Sequence, residues 1–175
     1  MLQVQDYLLF VYLIIALIYD IRFHKIPNWL TAGGMLVGIV FHMVSGGIDG
    51  LIFSFLGLLV AGAIFLVLYV FKAIGAGDVK LFAGIGAIVG VQIALYMMMY
   101  SIIVAGLLGI VILLFTRTFL QKMTSAFFAF VGSILSKDLS SLEEFKTTKS
   151  TRFPFMYAVI PAVVLTYYYM FYAYS

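Results

Sequence analysis

Long uncharged apolar runs limit most narrowly what this chain can fold into. The clearest of them runs from Leu51 to Phe71 and contains no charged residue. A helix needs about 20 such residues to cross the hydrocarbon core of a bilayer. Hydrophobic residues make up 65% of the 175-residue chain and charged residues 10%, whereas soluble domains average about 25% charged residues. The sequence therefore predicts an all-α protein with several membrane-spanning helices.

Six segments are predicted to span the membrane, at residues 5–19, 29–44, 51–71, 78–90, 91–115 and 155–172. A glycine-bearing turn at 45–50 and a loop at 72–77 separate some of these segments. Pro27 is expected to break or start a helix, because it lacks an N–H and restricts the residue before it. The remaining polar region, 116–152, is predicted to be a cytoplasmic or interfacial insertion in a single polytopic domain covering residues 1–175.

The positions of the basic residues predict the orientation of these segments, because cytoplasmic loops carry an excess of Lys and Arg. With six spans every basic residue falls on one side: Arg22, Lys25, Lys72, Lys80, Arg117, Lys122, Lys137, Lys146, Lys149 and Arg152. The other side holds Asp6 and Asp49. A seventh span at 119–135 would put some of the basic residues on the wrong side. We therefore expect both termini outside, with Asp20 and Asp78 at the cytoplasmic face.

The chain contains no cysteine, which excludes disulfides, thiol nucleophiles and cysteine-based zinc sites. Its net charge is +3, but no basic tract has the length or the interleaved aromatic residues of a nucleic-acid-binding surface. We expect neither a metal nor another cofactor, and no nucleic-acid partner.

Asp20 and Asp78 lie at the margins of apolar segments, where an ionised carboxylate is costly and usually functional. Two carboxylates brought within a few ångströms cannot both ionise cheaply, so they would share a proton. The ionised acid could then activate a water while the protonated one polarises a peptide carbonyl. A structural interpretation stays open for Asp78, which could cap the helix that it begins. A capping role does not suit Asp20, because a carboxylate at a helix C-terminus faces the negative, unfavourable end of the helix dipole.

A second class of function also stays open on the residues alone. A small proton- or cation-coupled transporter or channel subunit could use the same two acids as ion ligands. Such proteins place their acids near the bilayer midplane, on discontinuous helices. The predicted position of both acids at the cytoplasmic margin favours hydrolysis over transport.

The residues around both acids resemble the signatures of the type IV prepilin peptidases, a family that includes the preflagellin peptidases. The first signature is matched by Asp20 with Arg22, Lys25, Ile26, Pro27, Asn28 and Leu30, and the second by Gly75, Gly77, Asp78, Val79, Lys80 and Leu81, followed by Gly86 and Gly90. The resemblance covers residues 5–115 and, less distinctly, the last segment.

This resemblance implies an aspartic endopeptidase of the inner or plasma membrane. Its protein substrate would be a prepilin-like or preflagellin-like precursor, cut at the cytoplasmic face to remove a short basic leader. Asp20 and Asp78 match the family's catalytic pair. The chain lacks the soluble insert and the Cys-x-x-Cys pairs of the larger members, which also N-methylate their products, so we expect a peptidase without methyltransferase activity. The compact form resembles both the tight-adherence pilus type and the archaeal type.

Five further residues are expected to bind substrate or shape the site: Gly75, Gly77, Lys80, Pro27 and Asn28. The glycines would permit a tight turn and a close approach of substrate. Lys80 could contact substrate or serve as a membrane anchor whose stem lies along apolar surface. Asn28 could form a hydrogen bond near the site or simply begin a helix. His24 could tune the acids near neutral pH or be an ordinary loop residue, and His42 is expected to be structural.

Overall fold

The computed structural model describes residues 3–71, 74–115 and 155–173. Helices α1 to α4 of this part span Val4–Phe23, Asn28–Val70, Ala76–Phe115 and Met156–Ala173. Three of them, α1, α2 and α3, are long and apolar enough to cross a membrane, and α4 is shorter. The prediction of an all-helical membrane protein is confirmed for these residues. The predicted insertion at 116–152 lies outside them.

Helices α2 and α3 are both much longer than one membrane crossing requires. They contain 43 and 40 residues, which would make each about 60 Å long if straight, twice the thickness of the hydrocarbon core. Each is interrupted by a non-helical glycine, Gly47 at φ 60° and ψ −135° and Gly90 at φ 77° and ψ −179°. Where six spans were predicted, the residues that the structure describes form four helices, two of which are broken.

The chain folds back on itself at the first break. A Cβ placed on Gly50 would collide with the carbonyl oxygen of His42. Along a continuous helix these two residues would be about 12 Å apart. Gly47 lies inside the predicted turn at 45–50, and it adopts a positive φ that only glycine reaches at little cost.

Both parts of α2 pack against the first part of α3. The backbones of Gly57 and Gly86 touch, and Ser54 Oγ donates a hydrogen bond of 2.7 Å to the carbonyl oxygen of Ala87. The buried imidazole of His42 lies 2.8 Å from the carbonyl oxygen of Ile88, in keeping with its expected structural role. These polar contacts in an apolar interior fix the register of the two helices.

Helix α1 joins this pair through the ring of Tyr12, which is 5% exposed. The ring occupies the space that side chains on Gly34 of α2 and Gly84 of α3 would need. Its hydroxyl donates to the carbonyl oxygen of Leu81 at 3.4 Å. Three helices therefore meet around one tyrosine.

Helix α4 packs against α1, and a buried acid holds the two together near the start of α1. The hydroxyl of Tyr167 donates to Asp6 Oδ1 at 2.6 Å, while the Gln3 N–H donates to Asp6 Oδ2 at 2.7 Å. All these contacts lie within one compact unit, formed by residues 1–105 and 154–175; residues 106–153 form a second unit.

Candidate active site

Asp20 lies in the last turn of α1 and is only 7% exposed. Its Oδ2 accepts a hydrogen bond of 3.1 Å from the backbone N–H of Met156. The N–H groups of Ala158 and Val159 donate to the carbonyl oxygen of Phe155 at 2.9 and 3.3 Å, so Phe155 caps α4 and Met156 is its first residue. The amide of such a residue has no partner inside its own helix. Asp20 therefore lies at the favourable end of α4, which offsets its position at the unfavourable end of α1.

The chain turns immediately after Asp20. The N–H of His24 donates to the Asp20 carbonyl oxygen at 2.9 Å, and His24 has a left-handed φ of 51°, a common way to end a helix. Pro27 then begins α2 as its N-cap residue.

Asp78 lies in the first turn of α3 and caps it. Its Oδ2 accepts the N–H of Gly75 at 3.0 Å, while the N–H groups of Asp78 and Val79 donate to the Gly75 carbonyl oxygen at 3.1 and 3.4 Å. The carboxylate of Asp6 contacts the Gln3 N–H in the same way at the start of α1. Asp78 is therefore not the residue that begins the helix, as the sequence suggested, but its third residue, and its carboxylate caps α3 through the N–H of Gly75 with one oxygen.

The two acids belong to neighbouring segments of the fold. Lys80 Nζ donates a hydrogen bond of 2.8 Å to Asn28 Oδ1, and a Cβ on Gly77 would lie 3.8 Å from the Cβ of Ile26. The start of α3 therefore lies against the connection between α1 and α2, and the structure brings all the predicted site residues to this region.

The structure adds two details to the expectations about the site residues. Among the described residues, glycine has a positive φ only at Gly47 and Gly90, so Gly75 and Gly77 do not make the turn into α3 by a conformation reserved for glycine. What limits residue 75 is space, because a Cβ there would lie 3.3 Å from Asp78 Oδ2. The ammonium of Lys80 donates a hydrogen bond to Asn28, a contact that neither membrane anchoring nor substrate binding predicted.

Sequence reasoning missed the contribution of Phe155 and Met156. The Phe155 ring packs edge-on against Phe65 and Phe82, with ring centroids 6.2 and 6.3 Å apart. A backbone amide carries no signature in residue type. The available signal was topological, because the predicted start of the last span fell on the same side as Asp20.

No group of three or more His, Cys, Asp or Glu side chains within residues 3–71, 74–115 and 155–173 could hold a metal ion.

A model of the type IV leader peptidase family matches residues 7–114, more than half of the chain, including both acids. The chain belongs to the type IV leader peptidase family. The resemblance to the prepilin peptidases is thereby confirmed. Membership of this family implies a membrane protease that acts on a prepilin-like substrate. The match gives no support to the alternative of a transporter or channel subunit. No curated protein and no solved structure matched the chain.

Proposed function

We propose that this leader peptidase is an aspartic endopeptidase with Asp20 and Asp78 as its catalytic pair. It removes the short basic leader from a type IV prepilin-like or preflagellin-like precursor. One observation carries the proposal: the start of α3, which bears Asp78, lies against the connection that follows Asp20, as the Lys80–Asn28 hydrogen bond and the approach of Gly77 to Ile26 show. The burial of Asp20 makes ionisation of both at once still more costly.

The pair then shares one proton. The ionised carboxylate takes a proton from a water, whose oxygen attacks the scissile carbonyl. The protonated carboxyl donates a hydrogen bond to the carbonyl oxygen, where negative charge develops. Collapse of the tetrahedral intermediate breaks the C–N bond as a proton passes to the leaving amine. No covalent intermediate, metal or other cofactor is needed, and no methyl transfer follows.

The breaks at Gly47 and Gly90 support an arrangement with six membrane crossings. The break at Gly47 divides α2 into two pieces that each suit a single crossing. The break at Gly90 separates a shorter first piece of α3 from a second piece that is long enough to cross. With every Lys and Arg on one side, both termini lie outside and the acids at the cytoplasmic face of the cell membrane. The precursor's leader then reaches the acids from the cytosol, while its apolar helix stays in the bilayer.

Residues around the pair shape the site. The Lys80–Asn28 hydrogen bond holds the first turn of α3 to the first turn of α2, which Pro27 begins. This bond also gives the ammonium of Lys80 a neutral amide as its partner. Gly75 leaves room for the Asp78 carboxylate, and Gly77 leaves room for substrate.

The test is leader removal in cells that co-express the peptidase with a candidate precursor, followed by mass spectrometry of the new N-terminus. We expect Asp20→Asn and Asp78→Asn each to lower the rate by at least about 100-fold, because each removes an acid–base group. Asp49→Asn is the matched control, since Asp49 is exposed and lies close to the break at Gly47.

Wild-type processing by either Asp20→Asn or Asp78→Asn would refute the proposal. The product should carry an unmethylated terminus. A chelating agent should leave the rate unchanged, and strong inhibition by it would indicate a metal-dependent mechanism instead.

A further inference from the structure

We infer that Phe155 and Met156 position the Asp20 carboxylate for catalysis. Both residues lie outside the part of the chain, 7–114, that matches the family model. The inference rests on the proposed function, because it assigns a role to the surroundings of Asp20 in that reaction. Three features of the structure carry it: a buried hydrogen bond, an aromatic cluster and a second contact further along α4.

The hydrogen bond restricts the rotation of the carboxylate. The terminal torsion of an Asp side chain is broad and roughly two-fold, so packing alone defines it poorly. A buried 3.1 Å bond from the Met156 N–H to Asp20 Oδ2 selects one orientation. The Met156 side chain is fully buried, which fixes its backbone amide as well.

The aromatic cluster ties that amide to the helices around it. Phe65 of α2 and Phe82 of α3 stack at a centroid distance of 4.0 Å. The Phe155 ring packs edge-on against both, at interplanar angles of 71° and 65°. Asp78 lies on α3, as Phe82 does. The cluster therefore connects the Met156 amide, which binds Asp20, to the helix that carries Asp78.

A second contact holds α4 further along its length. Tyr167 donates to Asp6 Oδ1 at 2.6 Å, so α4 contacts one acid near each end of α1. Sliding of α4 along α1 would break both bonds. The Met156 amide is therefore held at a defined height beside Asp20.

The experiment compares Met156→Pro with Met156→Ala. Both variants lose the buried methionine side chain, but only proline loses the N–H, and the first position of a helix is where proline is tolerated best. The assay uses purified protein in detergent and a synthetic precursor with a basic leader and an apolar helix. Since a hydrogen bond to a charged group is among the strong ones, we expect kcat of Met156→Pro to be at least about tenfold below that of Met156→Ala, with similar KM values.

Equal kcat values for the two variants would overturn the inference. An effect on KM alone would also overturn it, because it would indicate substrate binding and not the positioning of Asp20. If Met156→Pro does not fold, Phe155→Leu decides the question. This variant removes the ring contacts but keeps every backbone amide, and it should lower kcat several-fold. A wild-type kcat in Phe155→Leu would overturn the inference.

The proposed function fails separately. If Asp20→Asn is active, the catalytic pair itself is wrong. If Asp20→Asn is inactive while Met156→Pro equals Met156→Ala, the pair stands and only the role of Phe155 and Met156 is lost.

Discussion

The hydrogen bond between Tyr167 and Asp6 is predicted to stabilise the protein measurably, and Tyr167→Phe removes it selectively. The ring contact with Phe10, at a centroid distance of 5.2 Å, is retained by phenylalanine. The bond is short, 2.6 Å, and Asp6 is 5% exposed, so water cannot readily replace the lost donor. Hydrogen bonds to charged groups contribute about 1.5–3 kcal/mol. Because Tyr167 is only half-buried, we take the lower value.

A loss of about 1.5 kcal/mol lowers the melting temperature of a chain of this size by about 3–6 °C. Thermal unfolding of purified variants in one detergent measures it. Tyr168→Phe is the matched control, because this neighbouring tyrosine is 70% exposed and should melt like the wild type. If Tyr167→Phe melts no lower than Tyr168→Phe, the buried bond contributes nothing and the reasoning about α1 and α4 is wrong.

Two further predictions concern the residues around the acids. Gly75→Ala puts a Cβ 3.3 Å from Asp78 Oδ2 and should lower kcat about tenfold by displacing that carboxylate. In Gly77→Ala the nearest neighbour of the new Cβ is 3.8 Å away, so kcat should stay near the wild-type value. Equal losses of kcat in the two variants would contradict this. Lys80→Met and Asn28→Ala each break the 2.8 Å bond between them, so we expect similar losses of leader-processing activity that do not add in the double variant. Additive losses would show that this bond does not couple the two helices.

Much of the helical architecture was accessible from the sequence because it depends on local properties. Apolar length predicts spanning helices, and the break at Gly47 falls where Ser45 to Gly50 predicted a turn. The break at Gly90 coincides with the predicted end of the fourth segment. Local signals do not determine whether such a break ends a helix or only interrupts it, because that depends on packing. Hence the described part of the chain forms four helices, two of them broken, where six spans were predicted.

The surroundings of the acids were less predictable. The sequence could not choose between capping and catalysis for Asp78, and the structure shows that capping leaves the start of α3 against the connection that follows Asp20. The same limit applies to Gly75. A glycine can be needed for an unusual backbone conformation or because a side chain would not fit, and only the three-dimensional structure distinguishes these two reasons. The partner of Asp20, a backbone amide on α4, could not be read from any residue type.

The Asp20–Met156 bond spans 136 residues of sequence, which has a consequence for biosynthesis. Chains are made from the N-terminus at about 5–20 residues per second, so Met156 follows Asp78 out of the ribosome by on the order of ten seconds. During that interval the acids are already made, but the amide inferred to orient Asp20 is not. A nascent peptidase is then expected to work below its full rate until its last helix inserts, and molecules whose synthesis stops early would not reach that rate.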